Sequence, residues 1–276
     1  MTLKLELREL KDPVLLPDLN DLLGRMLQNI GSVDPELRDT LIYNKFGKLI
    51  LGNHLSTQQV EHILSVCLDN LFWKIGERSS DSVFTRSFSA LVIALILNYN
   101  RQKQIISDQL IHHSVNSSIK YLKLEKDTRG YVTGKGWAHS IAHGADLLTE
   151  AIKHPHFNQA LSSQCLEAIK LCIFKENTTN TPYIDDEEER LVFIMEALKE
   201  KGITEQKVYT WVLEIEQQLD DIFQNEGHSL NFFWKRNQVV NFLRSYYFRL
   251  LYNNEWEQLQ TNIVTVLRKL HKDLYD

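Results

Sequence analysis

The sequence predicts an all-α protein: an α-α superhelix of stacked helical hairpins, HEAT- or armadillo-like, with about eleven helices. Three observations lead there. Apolar residues recur every three or four positions along nearly the whole chain and almost nowhere alternate. Only 11 glycines and 5 prolines interrupt 276 residues, so elements run long. Helices are expected to open near 34, 80, 136, 185 and 228. That pair spacing of roughly 45 to 55 residues approaches the roughly 40–47 of such repeats. The units share no sequence signature, and a compact irregular bundle is the alternative.

Taken in order, the first apolar stripe is Leu15, Leu19, Leu22, Leu23, Met26 and Ile30. Asp34-Pro35 predicts a helix start, with an N-cap carboxylate followed by proline at the first helical position. "STQQ" at Ser56–Gln59 reads as a capping box ahead of Val60, Ile63, Leu64, Cys67, Leu68 and Leu71. Asp81 or Ser82 would cap the helix of Phe84, Phe88, Leu91 and Leu95. "DDEE" at Asp185–Glu188 reads as a second capping box. Later stripes run from Val208 to Ile222, Val239 to Leu250 and Trp256 to Leu270. Gly31, Gly52, Gly76 and Gly202 fall where helices should close in a left-handed residue.

A composition 43% hydrophobic and 10% aromatic can bury a sizeable core, and no Pro/Gly/Ser-rich linker divides it. We therefore expect a single all-helical domain over residues 1–276. The net charge of −5 argues against a nucleic-acid partner. The N-terminus lacks the apolar core of a signal peptide. The longest apolar run, Ala90–Leu97, falls short of the roughly 20 residues that cross a bilayer. A cytoplasmic protein with no membrane partner is expected. Cys67, Cys165 and Cys172 sit at helical spacing among leucines and isoleucines and read as core residues.

The chemistry concentrates in "GYVTGKGWAHSIAHGADLLTEA", Gly130–Ala151. A helix beginning near Gly136 would place His139, His143, Asp146 and Glu150 within about 60° of one another at 100° per residue. Two histidines at i and i+4 suit a divalent metal ion, with Asp146 either as third ligand or as the carboxylate that orients a histidine, and the acidic run Asp185–Glu189 as source of a fourth. Trp137, Ile141, Leu148 and Ile152 would form the core side. No glutamate follows His139, so this is not HExxH. The alternative is a solvated, hydrogen-bonded face. Arg86 needs an acidic partner if buried, with Asp127 or Glu188 in view. "EKDTRGYVTGKGW" is a glycine-spaced loop that either binds an anion or simply turns. The aromatic and basic stretch Asn231–Tyr252 reads as a core helix with snorkelling cations. His112-His113 and His154-Pro155-His156 read as loop or surface groups.

"DSVFTRSFSALV", "EKDTRGYVTGKGWAHSIAHGADLL" and "DDEEERL" resemble blocks of the bacterial domain of unknown function 2785 family, from about Asp34 to Trp211. The resemblance implies a helical cytoplasmic protein of mainly Gram-positive bacteria, with no established activity. It places motif residues on Arg86, Asp127, Arg129, Trp137, His139, His143, Asp146, Glu188 and Arg190. Two functions follow. The first is a groove, lined by Asp127, Trp137, Asp146 and Arg190, that binds a protein, peptide or small-molecule ligand. The second is a metal-dependent hydrolase. In it His139, His143 and Asp146 would hold one divalent ion, Glu187 or Glu188 would act as ligand or general base, and Arg86 or Arg129 would steady an anionic substrate.

Overall fold

The structure is a computed structural model that describes residues 2–10, 19–176, 178 and 182–275. It is all-α apart from one two-stranded hairpin. The helices are α1 (Leu3–Glu9), α2 (Leu19–Gln28), α3 (Asn44–Leu51), α4 (Thr57–Asn70), α5 (Ser82–Lys103) and α6 (Asp108–Leu124). After the hairpin come α7 (Ser140–Lys153), α8 (Ser162–Ile173), α9 (Glu187–Glu200), α10 (Glu205–Glu226), α11 (Leu230–Tyr252) and α12 (Glu257–Tyr275). Leu15, expected to open the first stripe, lies outside the described residues.

Alternate helices pack side by side. Helices α5, α7, α9 and α11 form one series, α4, α6 and α8 a second, and each member of the second packs on the helix that follows it. This is a two-layered stack of helical pairs with no sequence signature repeated from pair to pair. One continuous apolar core runs through it from Leu7 to Leu270. The three cysteines are free and buried in it, as expected.

Local chemistry explains most boundaries. Ser56 and Gln59 form the expected capping box, with each side chain accepting from the other's backbone N–H. Asp34 caps through Oδ1, which accepts from the N–H groups of Glu36 and Leu37. The turns that follow, Glu36–Tyr43, are a wider π-helix that leads directly into α3. Gly76 and Gly202 are left-handed, but Gly52 is right-handed and Asn53 takes the left-handed turn. Asp81 opens α5 without capping it; Ser80 Oγ accepts from the N–H of Ser82, and Asp81 pairs with Lys135.

Helix α5 is long and apolar enough to cross a membrane, yet 78% of its apolar window is buried inside the protein. It is the central core helix. The expected snorkelling on α11 is more deeply buried than surface cations usually are. Lys235 is 5% exposed with its ammonium on the Lys175 carbonyl, and burial lowers its pKa to about 8. His154, expected in a loop or at the surface, does follow the end of α7 but is buried beside Asn100, and its pKa falls to about 4 because burial disfavours the imidazolium.

Helices α6 and α7 approach closely because position 144 is glycine. A Cβ there would stand 2.7 Å from Leu122 Cδ2 and 2.8 Å from Tyr121 Cε1. Gly144→Val should therefore overpack the interface and cost about 1–3 kcal/mol in urea unfolding. His154 sets an acid limit. Between its unfolded value of 6.5 and its folded value of about 4, the unfolded chain binds the proton that the folded chain refuses. Stability should fall as pH drops through that window, and His154→Asn should flatten the slope in pH-dependent urea titrations.

Candidate functional site

Segment 125–140, between α6 and α7, is built on buried charge. Arg86 of α5 and Glu125 are both 0% exposed and form a bidentate pair, Nε to Oε2 at 2.6 Å and Nη2 to Oε1 at 2.9 Å. Glu125 Oε1 also accepts from the backbone N–H groups of Lys126 and Asp127 at 2.9 and 3.0 Å. Asp127 is fully buried and pairs with Arg129, which reaches on to the Ser80 carbonyl. The Ser140 hydroxyl donates to the Asp127 carbonyl.

The loop then forms a hairpin, Tyr131–Val132 against Gly136–Trp137. Gly134 and Gly136 lie at φ +76° and +77°, which most side chains disfavour. A second buried guanidinium holds the return strand. Arg38, 0% exposed, donates from Nη2 to the Lys135 carbonyl at 2.8 Å and from Nη1 to the Ser32 carbonyl at 2.7 Å. Its carbon lies 4.2 and 4.7 Å from the centres of the Phe84 and Phe88 rings.

This frame sets His139. It is not on the helix, because α7 begins at Ser140 and His139 is the left-handed residue before it, at φ +44°. Its backbone N–H donates to the Arg129 carbonyl, and Trp137 lies over its ring with centroids 4.2 Å apart and planes 33° from parallel. Its Nε2 is buried with no hydrogen-bond partner in the protein. Burial lowers the pKa of His139, against the neighbouring charge of Asp185.

The acidic run meets it from the start of α9. Asp185 Oδ2 accepts from the Tyr131 N–H at 3.0 Å, and the approach depends on Gly130, whose added Cβ would lie 2.0 Å from that oxygen. Glu187 is 2% exposed, accepts from the Asp185 N–H at 3.1 Å, and is pushed up to about 7 by burial. Asp186 between them is left-handed at φ +63° and makes no side-chain cap, so the expected capping box does not form. A ring nitrogen of His139 and one oxygen each of Asp185 and Glu187 all lie within 4.8 Å of one another. Among the described residues this is the group close enough to share a cation.

The expected trio of His139, His143 and Asp146 is thus not the set that converges. His143 is buried and its Nδ1 meets Ser87 Oγ at 2.7 Å. The Ser87 hydroxyl spends its proton on the Ala138 carbonyl, so it accepts from His143 and fixes the Nδ1–H tautomer. Burial holds His143 well below the usual imidazole range. Asp146 is bound by Arg190 at 2.8 and 3.0 Å, and burial raises its pKa despite that partner. Arg86 pairs with Glu125, not Asp127 or Glu188, because Glu125 ends α6 directly beside it. Arg86 is fully buried on Glu125, and Arg129, 13% exposed, is committed to Asp127 and the Ser80 carbonyl. Asp127, enclosed, cannot line a groove. Trp137 is 41% exposed on the hairpin instead of on the core side. Glu188 is half-buried with Oε2 unpartnered and its pKa raised by burial.

The residues that position the site were harder to anticipate. Arg38, Ser87 and Glu125 carry no spacing that marks them. The hairpin did have a cue: the Lys135 N–H closes a four-residue turn on the Val132 carbonyl, and its third residue, Gly134 at φ +76°, sits where such a turn can require a left-handed residue.

A cavity of about 450 Å³ opens further along α7. Asp146, Thr149, Glu150 and Lys153 form its α7 wall, with Tyr43, Asn98, Phe193, Glu196 and Arg249 opposite and beside them. Asp146 is the expected groove residue that lines it, and Arg190 reaches its edge through Asp146.

Residues 71–248 match a family model described as "Protein of unknown function (DUF2785)". No curated protein and no solved structure matches the chain.

The Arg86–Glu125 pair supplies a direct test of how the segment is held. Glu125→Gln leaves a buried guanidinium without its counter-charge and should cost about 3–5 kcal/mol. Urea unfolding measures the loss, and amide exchange should quicken across residues 126–139. Unchanged exchange there would contradict the proposed frame.

Proposed function

The chain belongs to the DUF2785 family of proteins of unknown function, and we propose that it is a helical ligand-binding protein whose α7 cavity takes a small molecule bearing a carboxylate or phosphate. One observation carries this reading: the guanidinium of Arg249, its side chain 39% exposed, shares one cavity with the polar side chains of Asn98, Thr149 and Lys153. Arg249 is held by Glu196, with Nε 3.1 Å from Oε1 and Nη2 3.2 Å from Oε2.

Three carboxylates of the wall, Asp146, Glu150 and Glu196, stand against Lys153 and Arg249, and the two partly exposed guanidinium forks of Arg249 and the neighbouring Arg190 supply the donors for a ligand oxygen. Arg190 and Arg249 lie 5.8 and 5.0 Å from the centre of the Phe193 ring, with side chains 44% and 39% exposed. Asp146 engages Arg190 through Nη1, and Glu196 engages Arg249 through Nη2, so other donors of both forks remain for a ligand oxygen. Leu91, Ala94 and Leu95 give an apolar floor, and the volume falls within the range of small-molecule sites.

Thermal shift of the full chain against small carboxylates, phosphate monoesters and neutral analogues tests the assignment. The anionic classes should raise Tm. Arg249→Met should weaken the best ligand about ten- to hundredfold, the size of a charged hydrogen bond, and Thr149→Val should weaken it less. No shift with any anion, or one that both variants retain, would refute the reading.

A further inference from the structure

We infer that His139, Asp185 and Glu187 form a binding site for one divalent first-row metal cation, separate from the α7 cavity. The donors come from two distant stretches of chain and converge within 4.8 Å of one another. That is near enough for modest side-chain rotation to bring them to the roughly 2.0–2.2 Å that nitrogen and carboxylate ligands keep from zinc. One imidazole with two carboxylates suits zinc, manganese or iron better than calcium or magnesium, whose sites are built from oxygen.

The orphaned Nε2 of His139 points to a ligand independently of the carboxylates. It is a buried ring nitrogen with no partner in the protein. The surrounding contacts resemble those that orient metal ligands. Tyr131 N–H donates to Asp185, Asp185 N–H donates to Glu187, and Trp137 covers the imidazole. Three protein donors leave coordination positions for water or a ligand atom, as in catalytic rather than structural zinc sites. Tyr131 and Trp137, 55% and 41% exposed, put the hairpin side of the group near solvent.

The test is calorimetric titration of chelator-treated full chain with zinc and with manganese. One equivalent should bind, and His139→Ala and the near-isosteric Glu187→Gln should each weaken uptake by more than about tenfold. Circular dichroism establishes that each variant is folded, and the wild-type stoichiometry decides the matter even where a variant is not. A wild type that takes up neither ion overturns the inference. So does uptake that survives Glu187→Gln but disappears in Asp146→Asn, which would return the ion to the histidine helix. Cation uptake should be indifferent to Thr149→Val, so failure here and failure at the cavity are told apart.

Discussion

Two buried guanidinium groups organise the part of this protein that departs from regular helix. Removing an arginine from water costs several kcal/mol even after relaxation, and an apolar replacement of similar volume is often as stable or more so. Arg86 offsets that cost against Glu125, while Arg38 has Asp39, two backbone carbonyls and two phenyl faces. The stack of helical pairs does not need either arrangement. What they determine is position. Glu125 fixes where the chain leaves α6, and Arg38 fixes where the hairpin returns, so the backbone that delivers His139 is anchored at both ends.

That anchoring offsets local strain. His139 at φ +44° and Asp186 at φ +63° are left-handed residues other than glycine, and each costs of order 1 kcal/mol or more. They stand on either side of the same side-chain group, one before α7 and the other before α9. The glycines at 130 and 136 serve a different need from the helix-closing ones. Gly130 lets the Asp185 carboxylate reach the hairpin backbone, and Gly136 packs against Pro35 at the start of the π-helical segment. Strained residues, close backbone approach and buried ions all meet at one end of α7.

The helical core was legible in the sequence because its determinants are local and periodic. The stripe from Val60 to Leu71 and its Ser56–Gln59 box needed no knowledge of neighbours. The histidine helix misled for the opposite reason. A 100° rotation per residue holds only inside a helix, and tertiary hydrogen bonds start α7 four residues later than Gly136 suggests. His139 leaves the helix yet keeps its ring edge-on to His143, with centroids 5.6 Å apart, while its ligand nitrogen groups with Asp185 and Glu187. "DDEE" failed similarly: Asp185 is occupied by the Tyr131 N–H, a partner 54 positions away. The sequence did indicate that His139 and the acidic run share a site. Which carboxylates reach it depended on the hairpin, and the hairpin depended on Arg38 and Glu125, whose partners lie far off in sequence.

Arg190 electrically joins the two regions at either end of α7. It pairs with Asp146 on the cavity wall, and its charge also helps hold His139 and His143 below their ordinary pKa. Burial does most of that work, and the arginine adds to it. The consequence is a pair of neutral imidazoles at neutral pH, the form with a free lone pair that a metal requires. An anion bound near Arg190 would offset its charge and so ease the approach of a cation to His139, and by reciprocity a cation there would favour the anion. Coupling of this sign needs no conformational change. It follows from one guanidinium that is hydrogen-bonded to a carboxylate of the cavity and lies within electrostatic reach of the histidines.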